Sequence, residues 1–199
     1  MSTQTAATAA PELVQRYSGP AIALHWIIAL GVITNVALAW LWPHMLPDDA
    51  VRPTIDVHKS IGVTILGLAA MRLLWRWANP PPPLPEAYAL WEVRLSEITH
   101  GLLYIIIFAM PLTGWIMDSA WKDQATHPMH YFGTFEFPRL PFIVALPQPL
   151  RENFHTWFGL THKFLSYALY VLFAMHVAGA LKHQILDREP ELQRMLPGK

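Results

Sequence analysis

Histidines are the residues in this chain whose spacing could do chemistry. Four of the ten histidines, at positions 155, 162, 176 and 183, lie seven or fourteen residues apart. Such gaps keep all four within an arc of about 80° on one side of a helix. The surrounding residues are apolar enough to lie in lipid, where ionisable side chains are costly and indicate a function. The chain has no cysteine, which excludes disulfides, thiolate-held metal centres and covalent c-type haem attachment.

The composition favours an integral membrane protein. Of the 199 residues, 53% are hydrophobic and only 14% are charged, and the net charge is zero with neutral histidine, so no nucleic-acid partner is expected. Four apolar runs are each long enough to cross a hydrocarbon core of about 30 Å. The predicted fold class is therefore all-α, a four-helix transmembrane bundle. The predicted helices cover about 21–42, 55–77, 90–117 and 157–186, after a mobile N-terminal tail over 1–15; the transmembrane domain is residues 16–199.

The distribution of basic residues predicts the orientation of the bundle. With the N-terminus inside, eight lysines and arginines lie on the inner side and six on the outer side. Short loops rich in Lys and Arg stay in the cytoplasm, so both termini are predicted to be cytoplasmic. The long connection over 118–154, which carries five prolines, is expected to lie across the outer membrane surface.

Depth in the membrane separates the histidines into two groups. His155 and His183 would lie roughly 42 Å apart along a helix, which is more than the apolar core and places them at the interfaces. His162 and His176 would lie roughly 21 Å apart, one in each leaflet. On the other helices, His58 matches the outer level and His25 the inner level. Two pairs of facing imidazoles at two depths predict two bis-histidine haems stacked across the bundle.

Two alternatives stay open at this point. The histidines could be structural residues that hydrogen-bond between helices. They could also line a metal-ion pathway, although the helices lack the Asp and Glu residues that would balance a divalent cation.

An ordered series of motifs resembles the bacterial cytochrome b561 family over roughly residues 16–197. The series contains R-Y-S, A-L-H-W, H-K-S-I-G, R-L-L-W-R, H-G-L-L-Y, M-P-L-T-G-W and M-H-V-A-G-A-L-K-H. This resemblance implies a multi-pass protein of the bacterial inner membrane that binds two non-covalent b-type haems. In that family the axial ligands correspond to His25, His58, His162 and His176.

The resemblance also implies a function. Family members move electrons between the quinone pool, here ubiquinone, and a small donor or acceptor at the periplasmic face. One branch oxidises superoxide, so an oxidoreductase is expected. The alternatives are a haem-binding anchor for a partner redox subunit of a larger dehydrogenase or hydrogenase and, third, a haem-free metal-ion transporter.

Several residues near the two predicted histidine pairs are candidates for binding a cofactor, a quinone or an anion. Gly62, one turn from His58, leaves room for a flat macrocycle, and Arg72 could pair with a haem propionate or anchor the inner helix end. His100 is predicted near the inner pair as a quinone contact or a hydrogen-bonding neighbour. Basic residues around the outer pair could steer an anion toward it; these are Arg52, Lys59, Arg151 and Lys163.

Overall fold

Four long apolar helices form the body of the protein. The computed structural model describes residues 15–85 and 88–197. The long helices are α1 (Gly19–Leu41), α2 (Asp48–Ala78), α3 (Leu90–Ser119) and α5 (Gln148–Leu181). All four are long and apolar enough to cross a membrane, which confirms the predicted fold class. The predicted mobile tail over 1–15 lies, apart from Gln15, outside the described residues.

Most large apolar side chains point away from the bundle. Leu30, Leu74 and Phe164 are each more than 60% exposed on the protein surface, although all three lie within the apolar runs. A helix that is apolar on every side needs an apolar solvent, and lipid hydrocarbon supplies one.

Two helices begin earlier than the apolar runs predict. The second begins at Asp48 and not at 55, and the last begins at Gln148 and not at 157. The apolar run marks only the part of a helix that lies in lipid, whereas the first turns of both helices are polar. Asp48 and Asp49 favour a helix start through the helix dipole, and Pro149 fits the first turn because its missing N–H has no partner there.

The helices pack in sequence order around a small core. Helix α1 packs on α2, α2 on α3, and α3 on α5. The core contains Ile106, Leu169 and Leu172. A Cβ atom at Gly31 would lie 3.3 Å from the Ile65 side chain, so this glycine allows α1 and α2 to approach closely.

The residues just before α1 and the last described residues lie at the same end of the bundle, here called the terminal end. The Tyr17 N–H donates to the Arg194 carbonyl oxygen, 3.1 Å away. After α5 the chain continues through a π-helical turn (Lys182–Leu186) and a 3₁₀ turn (Leu192–Arg194). The Arg194 guanidinium donates to the carbonyl oxygens of Pro82 and Pro83, and the Trp26 indole donates to Met195 O. The C-terminal segment therefore closes the terminal end.

The opposite end, here called the loop end, is covered by residues 120–147, the loop-end cap. The cap contains a hairpin of β1 (His130–Tyr131) and β2 (Phe135–Glu136), with Tyr131 opposite Phe135, and the short helix α4 (Pro141–Val144). The hairpin packs on the side of α2. Its Phe132 N–H donates to Ser60 Oγ at 2.9 Å, and Tyr131 and Thr64 share a hydroxyl hydrogen bond of 2.8 Å.

A buried carboxylate joins this cap to the helices. Asp118, at the end of α3, pairs with Lys59 of α2 at 2.7 Å and with Arg139 of the cap at 2.9 Å. Arg139 also donates to the carbonyl oxygens of Gln124 and His127, so its guanidinium organises the cap backbone. The long connection thus contains ordered elements that side-chain contacts hold to the helices.

Candidate functional site

The structure brings four of the predicted histidines together in two facing pairs. At the terminal end, the ring centres of His25 on α1 and His176 on α5 are 6.1 Å apart. At the loop end, the ring centres of His58 on α2 and His162 on α5 are 6.4 Å apart. The fourteen residues between His162 and His176 keep both rings on one face of α5.

The spacing within each pair fits two axial ligands of one metal. A metal–imidazole bond is about 2 Å long and the ring centre lies roughly 1 Å beyond the nitrogen, so two axial imidazoles hold their ring centres roughly 6 Å apart. Both separations match this value. A direct hydrogen bond between the two rings would bring them closer, so the spacing favours a group between them over simple helix–helix contacts.

The hydrogen bonds of the two loop-end histidines leave the Nε2 atom of each ring free to bind a metal. His58 donates from Nδ1 to the Asn35 carbonyl oxygen at 3.1 Å, and His162 donates from Nδ1 to the Met110 carbonyl oxygen at 3.0 Å. Because Nδ1 carries the proton in both rings, each Nε2 is an unprotonated nitrogen that can bind iron.

A cavity of about 560 Å³ contains the loop-end pair. Its volume is in the range of cofactor pockets, and its wall is mostly apolar. Gly62 and Gly114 both line it. A Cβ atom at Gly114 would lie 3.3 Å from His162 Cε1, so a side chain there would displace the ring. The residues present thus fit a flat, apolar, iron-containing group such as haem.

The terminal-end pair has a third histidine and an arginine beside it. The ring centre of His100 lies 5.2 Å from that of His176, and His100 Nδ1 lies 3.2 Å from Ser96 Oγ. Arg72 donates to the Ala21 carbonyl oxygen at 2.8 Å, one turn before His25 on α1. His100 and Arg72 thus lie beside this pair of histidines.

The four basic residues predicted to steer an anion do not form one cluster. Arg52 and Lys59 line the cavity, but Arg52 stacks over the Trp121 ring and Lys59 pairs with Asp118. Arg151 donates to the Val144 carbonyl oxygen, and Lys163 is exposed on α5. Three carboxylates also line the cavity, those of Asp48, Asp56 and Asp118. Acidic and basic groups therefore nearly balance at this site.

Two residues at the loop end were not predicted to belong to the site. His155 lines the cavity and donates from Nδ1 to the Met117 carbonyl oxygen. Asn35 also lines the cavity, and among the described residues its buried side-chain oxygen has no hydrogen-bond partner. A lone amide inside an apolar helix is the sequence signal that identifies Asn35.

A charged cluster at the terminal end has the residue types of a metal site. Ligand atoms of Glu92, His183 and Asp187 lie within 4.8 Å of one another. However, the Lys182 ammonium bonds both carboxylates, so a cation already fills the position between them. That hydrogen bond lowers the pKa of Asp187 below its usual range. The cluster is an ion-pair network, and it does not favour the metal-transport alternative.

The neighbouring Tyr88 closes this network. Its ring stacks on His183 with the ring centres 4.0 Å apart, and its hydroxyl donates to Glu191 at 2.8 Å. Burial, together with this hydrogen bond, raises the pKa of Tyr88 above its usual range, so the hydroxyl stays a donor at physiological pH.

Four membrane-spanning helices with two histidine pairs between them define the class of small b-type membrane cytochromes. The sequence model of the prokaryotic cytochrome b561 family matches residues 16–198, and the chain belongs to that family. It is 30% identical to "Cytochrome b561 homolog 2" of Escherichia coli K12, over 92% of both chains. It is 27% identical to "Cytochrome b561 homolog 1" of the same organism, over 92% of this chain and 98% of the relative.

A third relative has a functional name. The chain is 25% identical to "Probable superoxide oxidase CybB" of Yersinia pestis, over 93% of this chain and 98% of the relative. Membership of the family confirms the predicted membrane-spanning electron-transfer protein that binds b-type haem. It also confirms the predicted multi-pass location in the bacterial inner membrane.

Proposed function

We propose that the protein binds two b-type haems and relays electrons between a periplasmic donor and the quinone pool. One haem would be held by His25 and His176 and the other by His58 and His162. The observation that carries this proposal is the spacing of the two pairs, 6.1 and 6.4 Å between ring centres. Haem bound at these positions supplies reversible one-electron chemistry of iron.

The protein's own residues would orient the ligands and admit the cofactor. The Nδ1–H groups of His58 and His162 donate to backbone carbonyls, which fixes the ring tautomers and leaves each Nε2 free to bind iron. Gly62 and Gly114 leave the space that a flat macrocycle needs. Arg72, beside the terminal-end pair, would neutralise a propionate there.

The proposed direction across the membrane follows the charge distribution. With seven basic residues of the described chain on the terminal side against six on the loop side, the terminal end would face the cytoplasm. The loop-end cap would then face the periplasm, and His58 and His162 would lie nearer the periplasmic donor. The ubiquinone contact would lie near His100, which is beside the terminal-end pair.

Superoxide is the proposed periplasmic donor, and the name of the Yersinia relative supports it. Arg52 and Lys59 line the loop-end cavity and are the nearest candidates to guide an anion, whereas Arg151 and Lys163 would act from further away. Because carboxylates balance these charges, we expect only weak electrostatic steering.

The proposal is tested by optical spectroscopy of single-histidine variants. The purified protein should give a reducible b-type spectrum with two haems per chain. His176→Ala and His162→Ala should each lose one haem and keep the other, whereas the control His44→Ala, at an exposed histidine outside both pairs and the cavity, should keep both. Two haems in both ligand variants, or no haem in the wild-type protein, would refute the assignment.

A second assay tests the donor and separates the anchor alternative. The isolated wild-type protein should reduce ubiquinone when superoxide is generated, and His162→Ala should lose this activity. The cap exposes Phe132, Phe135 and Phe142, each at least 48% exposed, which could dock a partner redox subunit. Absence of turnover, together with co-purification of a soluble redox subunit through this surface, would favour the anchor function.

A further inference from the structure

A narrow crevice at the terminal end collects groups that bind anions. It lies between the first turn of α1, the last turn of α2, the middle of α3 and the proline-rich connection. Tyr17, Arg72, Trp75, Arg76 and Tyr104 line it, and its volume is about 10 Å³. This is room for about one oxygen-sized group and is too small for a quinone ring.

The Tyr104 hydroxyl is an unused donor in this crevice. It is buried, and among the described residues it has no hydrogen-bond partner. A buried hydroxyl without a partner is rare because burial removes its hydrogen bonds to water. The hydroxyl therefore indicates an acceptor that residues 15–85 and 88–197 do not supply.

Two arginines in the crevice have no acidic partner. The Arg76 guanidinium lies over the Tyr104 ring, 5.9 Å from the ring centre, and Arg72 donates to the Ala21 carbonyl oxygen. Across the described ranges 15–85 and 88–197, no carboxylate pairs with either guanidinium. Two positive charges one helical turn apart repel each other, and an anion between them would relieve this repulsion.

We propose that Tyr104, Arg76 and Arg72 together bind one oxyanion, a carboxylate or a phosphate, with the Tyr104 hydroxyl as its buried hydrogen-bond donor. Two sources supply this chemistry: a propionate of the terminal-end haem, an alternative that rests on the proposed function, and the phosphate of an anionic phospholipid.

The position of the crevice favours the propionate. Tyr104 lies one turn from His100, whose ring is 5.2 Å from that of His176. Arg72 is bound to Ala21, one turn from His25. The crevice therefore adjoins the terminal-end pair from two helices, α1 and α3.

The test compares the wild-type protein with Tyr104→Phe and Arg76→Gln. Tyr167→Phe and Arg94→Gln are matched controls: Tyr167 is 50% exposed on α5 and lines neither the cavity nor the crevice, and Arg94 is exposed and pairs with Glu97. The first measurement is a potentiometric titration of both haems at several pH values. The second is the affinity of the protein in nanodiscs for phosphatidylglycerol against phosphatidylcholine.

If the ligand is a propionate, both variants lower the midpoint potential of the terminal-end haem and leave the loop-end haem unchanged. Loss of a donor or a cation also raises the propionate pKa, so the pH-dependent part of that potential moves to higher pH. If the ligand is a lipid phosphate, the potentials stay constant and the preference for phosphatidylglycerol falls about tenfold.

Potentials and lipid preference that both equal those of the controls would overturn the proposal. Failure of the proposed function is distinguishable, because a wild-type protein without a haem spectrum would still show whether Tyr104 and Arg76 select the anionic lipid.

Discussion

The substitution Asp118→Asn should release the loop-end cap from the helices. The Asp118 side chain is only 7% exposed and accepts from Lys59 and Arg139, whose side chains are 20% and 8% exposed. Removal of the carboxylate charge leaves two partly buried cations without their shared partner. Asparagine keeps the shape and one acceptor, so the change isolates the charge.

The expected loss of stability follows from the burial of the Asp118 ion pairs. Breaking a buried ion pair by removing one partner costs about 3–5 kcal/mol, and a pair with an exposed partner costs much less. Arg139 keeps its bonds to the Gln124 and His127 carbonyl oxygens, and Lys59 stays near Asp56. We therefore expect Asp118→Asn to lower the free energy of unfolding by about 2–4 kcal/mol. For a chain of this size each kcal/mol lowers Tm by about 2–4 °C, so Tm should fall by about 4–16 °C.

The assay is thermal unfolding in detergent, combined with limited proteolysis of the cap. The control is Glu97→Gln, which breaks an ion pair to Arg94 whose side chains are 57% and 78% exposed and should change Tm by less than about 2 °C. Faster cleavage after Arg139 without a change in Tm would mean that the cap detaches alone. Wild-type Tm and wild-type cleavage together would refute the argument, because the cap would then be held by contacts such as those of Ser60.

Two further predictions concern the two ends of the bundle. Gly114→Val should remove the loop-end haem and halve the haem content per chain, because the new Cβ atom would lie 3.3 Å from His162. The control Gly67→Val should keep both haems, because no atom lies within 4 Å of its Cβ position. Asp187→Asn should lower Tm at pH 7. The pKa of Asp187 is lowered by Lys182, so the stability it contributes is present above its unfolded pKa of about 4 and is lost as pH falls through the folded value. The Tm difference between wild type and variant should therefore shrink below about pH 4, and a difference that is constant with pH would contradict this.

The sequence predicts the helices and the histidine pairs because both depend on local, periodic features. An apolar run of about 20 residues gives the length of a membrane-spanning helix. A gap of fourteen residues places two side chains on the same face of a helix. His25 and His58 could be assigned to depths for the same reason. The pairing across helices then follows, since antiparallel helices bring matching depths together.

The remaining features depend on contacts between residues that are distant in sequence. A count of charges correctly finds acidic and basic residues on the loop side, but it does not reveal that Asp118 pairs with Lys59 and Arg139. The docking of the cap hairpin on Ser60 depends on one hydroxyl without a sequence signature. The early start of α5 is hidden because its first turns are polar and rich in proline.

The environments of the two histidine pairs predict different redox potentials. At the loop end, His58 and His162 both donate to backbone carbonyls, which would make them more basic ligands and stabilise ferric iron in the proposed haem. At the terminal end, no described residue hydrogen-bonds the rings of His25 and His176, and the positive charge of Arg72 would stabilise ferrous iron in the haem proposed there.

We therefore expect the terminal-end haem to have the higher midpoint potential, by about 60 mV or more, since about 60 mV corresponds to a tenfold change in a one-electron equilibrium. Electrons entering at the loop end would then flow downhill to the terminal end. A redox titration of the wild-type protein, with the haems assigned through His162→Ala and His176→Ala, measures the order. Arg72→Gln should reduce the difference because it removes the positive charge. Equal potentials, or a higher potential at the loop end, would mean that ligand hydrogen bonds and Arg72 do not set the direction.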